Sequence, residues 1–287
     1  MVCDLLHLSR CSLHYPCHPR QINNLMKIKE ILSHLEQKFP LSYQEDFDNC
    51  GIQCGDKEQE VTGVLVCFEM SDATINEAIQ LGANLVISHH PLILKKGIQK
   101  IEPTNRVGRI ICKALENRMV LYSMHTNLDS APGGINDLFA AILGLKEVEV
   151  LSPLPTEETA VGLGRVGVLA EAVPAEQFLK QVKETFGVQA VRYYGDLSKT
   201  VRRVAVCGGS GSSFISLALA AKADIYITGD IKYHDFHTAD RRMLIADIGH
   251  LESEQFAKEI IYNELKENFT NFAVSFAEVE KMKIDII

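Results

Sequence analysis

Four places in this sequence put ionisable side chains directly behind an apolar, strand-like run. They are Ser88-His89-His90-Pro91 after ANLVI, His125-Thr126-Asn127-Leu128-Asp129 after MVLYSM, Gly229-Asp230 with His234 after ADIYIT, and Gly249-His250-Leu251-Glu252-Ser253-Glu254 after LIADI. In open α/β sheets ligands bind beyond the carboxyl ends of the strands, so chemistry is expected there. Each imidazole of the His89–His90 pair needs a hydrogen-bond partner or a metal ion at a buried strand end. Adjacent residues leave a strand in opposite directions, so the pair could present one ring to each of two ions. His250 and Glu254 are four apart, which lets both side chains converge if a helical turn has begun; the same spacing suits a capping turn. Asp129 reads either as a ligand or as a turn residue ahead of Pro132 and Gly133. Together, His89, His90, Asp129, His250 and Glu254 are rich in nitrogen and carboxylate oxygen and free of thiolate. Such a set suits two divalent ions bridged by a carboxylate, with Zn, Fe, Mn, Co and Ni all compatible.

Gly208-Gly209-Ser210-Gly211-Ser212-Ser213 follows a strand and opens a helix, so its amides could cradle a phosphate. It equally suits a tight strand–helix turn, and it lacks both the Walker ending and the GxGxxG spacing with a later acid. Cys50 and Cys54 in DNCGIQCGD match neither a thioredoxin motif nor a zinc knuckle, and they read as a compact glycine-containing turn. With no GxSxG-type signature, covalent catalysis is not expected.

The elements that must position these residues alternate from residue 61 onward, in the pattern of an α/β fold. TGVLVCFEM reads as a strand, Ser71 caps the helix SDATINEAIQLG that ends at Gly82, and ANLVISHH is a second, nearly continuous apolar strand. RVGRIICKALENR (helix), MVLYSMHTNLD (strand) and INDLFAAILGL (helix) follow, and LSPLPTEETAVGLG reads as a surface connection. Beyond it come GRVGVLA, AVRYYG, RRVAVCG, ADIYITGD, LIADIG and FAVSFAEVE as strands, with helices at PAEQFLKQVKETF, SSFISLALAAKA, KYHDFHTADRR and ESEQFAKEIIYNELKENF. The expected architecture is two α/β domains with mixed sheets flanked by helices. Residues 26–130 with 245–287 would form the first domain and 131–244 the second. Residues 1–25 look unlike the rest, and the amphipathic MKIKEILSHLEQKFP places the start of the domain near Met26. The leader reads as an appendage or as a product of start-codon choice, and its Cys and His spacing fits no standard zinc motif.

Composition narrows the function classes. The chain has 287 residues and a net charge of −8, without a Lys/Arg block, which argues against nucleic acid or an anionic membrane as a partner. No apolar run approaches the ~20 residues of a membrane span, and the N-terminus has no continuous apolar signal core. Eight Cys without a CxxC pair suggest reduced, structural thiols and a cytoplasmic protein.

At these motifs the sequence resembles the GTP cyclohydrolase I type 2 homologue family, also called the Nif-three-like proteins. DNCGIQCGD, VISHHPLI, HTNLD followed by GGIND, CGGSGSS, ADIYITGDIKYHD and DIGHLESE occur in that order and cover most of the chain from Met26. The chain resembles the short form without an inserted domain. The resemblance implies a ring-shaped homohexamer with a dinuclear metal site in the interdomain cleft, two divalent ions per subunit held by His89, His90, Asp129, His250 and Glu254. It also implies that His125 and His234 line the cleft as supporting or acid–base residues. In some members the position of His234 is filled otherwise.

The function implied is metal-assisted hydrolysis of a nucleotide, with the guanine of GTP opened at C8 and formate lost. Two alternatives stand beside it: a non-catalytic metal-binding regulatory or scaffold protein, and a metal-dependent hydrolase of another phosphorylated metabolite.

Overall fold

A computed structural model describes residues 26–156, 159–280 and 284–285 of the chain; the leader, with its appendage reading, lies outside the described residues. In chain order the elements are α1 (Ile28–Lys38), β1 (Gly51–Cys54), β2 (Gly63–Cys67), α2 (Asp72–Leu81), β3 (Leu85–Ser88), α3 (Arg106–Glu116), β4 (Val120–Ser123), α4 (Thr126–Ser130) and α5 (Ile135–Ile142). They continue with β5 (Lys146–Pro153), β6 (Gly162–Pro174), α6 (Ala175–Thr185), β7 (Arg192–Tyr194), β8 (Thr200–Val206), α7 (Ile215–Ala220), β9 (Ile225–Thr228) and α8 (Tyr233–Phe236). The chain closes with β10 (Leu244–Asp247), α9 (His250–Glu254), α10 (Ala257–Asn268) and β11 (Ala273–Phe276).

Two mixed sheets result, as the alternation of elements predicts. The first runs β1-β4-β3-β2-β11, parallel except for β1 against β4. The second runs β5-β6-β8-β9-β10-β7, with β8, β9 and β10 parallel at its centre. Strand alternation divides the apolar residues between the two faces of each sheet. Val64, Val66, Leu85 and Ile87 face α1 and α10, while Leu65, Val86 and Leu121 face α2 and α3. In the second sheet Val204, Ile225 and Ala246 pack on α5 and α6, and Ala205, Tyr226 and Ile245 pack on α7.

The predicted cap of α2 is present: Ser71 Oγ accepts from Thr74 N, and Gly82 closes the helix with φ of 68°. Other expectations shift. The Cys50–Cys54 stretch contains a strand, because β1 pairs antiparallel with β4 and forms the edge of the first sheet. Both ends of the presumed connection 151–164 lie in strands, Leu151–Pro153 in β5 and Gly162–Gly164 in β6; the two pair antiparallel, and β5 alternates Lys and Glu with Val along an exposed edge. HTNLD is no strand extension; it turns into α4 after His125. Leu244–Asp247 pairs with β9 and β7, so the return to the first sheet comes after Asp247 rather than at 244/245.

Candidate metal centre

The site is built at the carboxyl ends of β3, β4 and β10, where the two sheets meet. β3 ends at Ser88 and delivers His89 and His90; β4 ends at Ser123 and delivers His125 at the start of α4. The single turn of α4 puts His125 and Asp129 four residues apart, and that of α9 does the same for His250 and Glu254. Six sequence-selected residues therefore come together: one potential ligand atom from each lies within 4.8 Å of the others in the groups His89–His90–His125, His90–His250–Glu254 and His89–Asp129–Glu254.

The carbonyl of Met124 accepts from His89 Nδ1 at 2.8 Å, which leaves Nε2 as a bare lone pair. That Nε2 is buried without a hydrogen-bond partner among the described residues, 3.4 Å from Glu254 Oε2 and 4.0 Å from Asp129 Oδ1. Burial lowers the His89 pKa to about 4, so the ring is neutral at pH 7. Asp129 Oδ1 is equally buried and unpaired, and burial together with the charge of Glu254 pushes this carboxyl well above its usual range. A buried lone pair facing a buried carboxyl oxygen is met either by a proton held between them or by a cation, and this donor set could hold a metal ion.

The other rings have carboxylate partners. His90 Nδ1 lies 2.8 Å from Glu69, His125 Nδ1 2.8 Å from Asp48, and His250 Nδ1 2.7 Å from Asp230. Such partners fix the ring and direct its other nitrogen inward, as behind metal-ligating histidines. The Nε2 atoms of His90 and His250 are 3.3 Å apart, and each approaches Glu254 Oε2, at 3.3 Å and 3.0 Å. Burial opposes charge on His90, yet the hydrogen bonds of Glu254 and Glu69 raise it to about 10. The hydrogen bond of Glu254 likewise holds His250 up at about 9 against burial. Despite burial, His89, His250 and His90 hold the Glu254 carboxyl well below its usual range.

Sequence reading missed Asp48 and Glu69, while Asp230, singled out behind ADIYIT, is the partner of His250 Nδ1. Asp48 sits in DNCGIQCGD, where the cysteines drew attention; Cys50 in fact donates to Asp48 at 3.2 Å, and burial pushes its thiol up to about 12. Asp48 also accepts from Thr126 N and Oγ1, and despite burial its bonds with His125 and Thr126 hold it far below the carboxylate range.

Two sequence expectations are redirected. The amides of the glycine loop are already used: Gly208 N donates to Asn136 Oδ1, Gly209 N to Ser253 Oγ and Gly211 N to Thr228 Oγ1, so no phosphate cradle remains at these three amides. A Cβ on Gly209, at φ of +65°, would fall 2.1 Å from Glu254 Oε1; the loop is the backing against which Glu254 is set. His234 is exposed on α8 with its ring 5.2 Å from that of Tyr233, and it is not in any of the three groups. Beside the cluster a cavity of about 500 Å³ is lined by His90 and His250 together with Phe68, Leu251, Glu252 and Arg192.

Paired mixed sheets with a histidine–carboxylate cluster define a class: an α/β protein with side chains that could hold a metal ion. A sequence profile of the Duf34/NIF3 (NGG1p interacting factor 3) family matches residues 26–283, and the chain belongs to that family. A Clostridium perfringens protein named GTP cyclohydrolase 1 type 2 homolog is 36% identical over 230 residues, covering 80% of this chain and 87% of its own. A Lactococcus lactis protein of the same name is 36% identical over 237 residues, with coverage of 81% and 89%. Among solved structures, a Staphylococcus aureus protein matches with a TM-score of 0.82 at 30% identity, over 91% of this chain and 99% of its own. A Bacillus cereus protein described as related to NIF3 matches with a TM-score of 0.82 at 26% identity, over 92% and 100%.

Proposed function

We propose that this protein is a dinuclear, divalent-metal hydrolase acting on a nucleotide, by opening of guanine at C8 with release of formate. The observation that carries the metal reading is the buried, partnerless Nε2 of His89 beside Asp129 and Glu254. His90, His250 and Glu254 would hold one ion and His89, Asp129 and Glu254 the other, with Glu254 common to both groups. His125, oriented by Asp48, would add a ligand beside His89 and His90. When bound, such ions supply Lewis acidity and acidify water toward neutral pH.

The chain's own residues bind and orient. Glu69, Asp48 and Asp230 keep protons on the outer ring nitrogens so that the inner ones stay basic. The cavity falls within the ~300–1,000 Å³ of small-molecule sites and opens on His90 and His250. The choice of GTP follows the names of the relatives. Two waters would be consumed, one to break a C8–N bond and leave a formylamino group, one to free formate.

The test is formate release from GTP by protein reconstituted separately with Zn, Mn or Fe(II), with His250→Ala as the blank. Formate above the blank is expected from wild type, and metal content should fall in both His250→Ala and Glu254→Ala. Full retention of both ions in these variants would remove the ligand assignment. No formate from doubly loaded wild type would move the substrate elsewhere and leave the metal site standing.

A further inference from the structure

Asp247, the last residue of β10, is only 5% exposed and accepts hydrogen bonds from both loops that carry the His250 assembly. Its Oδ2 accepts from Ile231 N at 3.0 Å and from Arg192 Nη1 at 2.9 Å, while Oδ1 accepts from Gly249 N at 3.0 Å. Arg192 completes the arrangement from β7: Nη2 donates to Ile231 O at 3.0 Å, and the guanidinium lies 5.1 Å over the Phe236 ring. Between these fixed points stands Asp230, at φ of +54°, a left-handed conformation that a non-glycine residue keeps only when its surroundings impose it. The loops also meet backbone to backbone: a Cβ on Gly229 would come within 2.8 Å of the Gly249 carbonyl and of His250 Cα.

We infer that Arg192 and Asp247 are positioning residues that clasp the 229–231 and 249–250 loops together and so fix the direction of His250 Nε2. The inference rests on the reading of His250 as a metal ligand. The chain of contacts is continuous. Asp247 and Arg192 hold Ile231, the neighbouring Asp230 carboxylate holds His250 Nδ1, and His250 Nε2 then faces Glu254. Arg192 also lines the cavity, so the clasp is built into the wall where a substrate would lie. Outer partners of metal-binding histidines change affinity by about 10–100-fold when removed, because a ring free to swing presents its lone pair poorly.

The test uses the full chain loaded with Co(II), reading metal affinity by competition with a chromophoric chelator and ligand geometry by visible absorption. Arg192→Ala, at a side chain that is 60% exposed, is expected to weaken one Co(II) equivalent about tenfold and to shift its absorption bands. Asp247→Asn should do the same; if it fails to fold, Arg192→Ala decides. A merely structural role would lower the melting temperature of metal-free protein and leave the bands of the loaded protein in place. The clasp is overturned if both variants keep wild-type affinity and spectrum while His250→Ala loses its equivalent. If His250→Ala itself keeps both ions, the ligand assignment falls and takes the clasp with it.

Discussion

His89 carries more of the case for a cation than any other residue, because its tautomer follows from one contact. A carbonyl cannot donate, so Met124 O assigns the proton to Nδ1 and the inward nitrogen must find something electron-poor. His234 is the opposite case. The resemblance gives it a cleft-lining role, whereas the structure leaves it exposed against Tyr233. His234→Ala is therefore expected to keep both metal content and formate release close to wild type. Metal analysis beside the formate assay checks this, and lost turnover with metal retained would return His234 to the mechanism. Vicinal histidines and a His–Glu pair at helical spacing were visible in the sequence. The carboxylates behind them were not, since Asp48 is 77 positions from His125 in the chain and Glu69 is 21 from His90. Such pairings exist only once β1, β2, β3 and β4 are assembled.

At the scale of elements, the short helical turns matter most. α4 and α9 are five residues each, too short to be stable alone, and they are held by the strands before them and the loops around them. Sequence patterning found the apolar strands on both sides of the site because burial on two faces makes them continuous. It extended MVLYSM through HTNLD because nothing in local composition marks where β4 stops and α4 starts. It ended β6 early because Pro174 reads as the opening residue of the helix PAEQFLKQVKETF, whereas it closes the strand and stands at the N-cap of α6. The glycine loop behind α9 is the element most open to a packing test. Gly209→Ala would need a left-handed backbone and a Cβ placed against Glu254, and it is expected to cost more than ~1 kcal/mol. Denaturant unfolding should register that loss, and metal content should fall with it; an unchanged midpoint would mean that the loop yields freely.

On the scale of the whole molecule, the cluster draws on both sheets. His89, His90, His125 and Asp129 follow strands of the first, and His250 and Glu254 lie on the path by which the chain leaves the second. An ion bound only by the folded state adds stability by mass action, about 2.7 kcal/mol at a hundredfold excess over its dissociation constant. Scanning calorimetry with and without a chelator should therefore show a melting temperature several degrees higher for loaded protein. Equal midpoints would argue against ligands drawn from both sheets of the folded chain. The same geometry has a kinetic side. An ion held from both sheets would be released most readily when they part, so the exchange of bound metal for a labelled isotope would serve as a clock for the opening of the molecule.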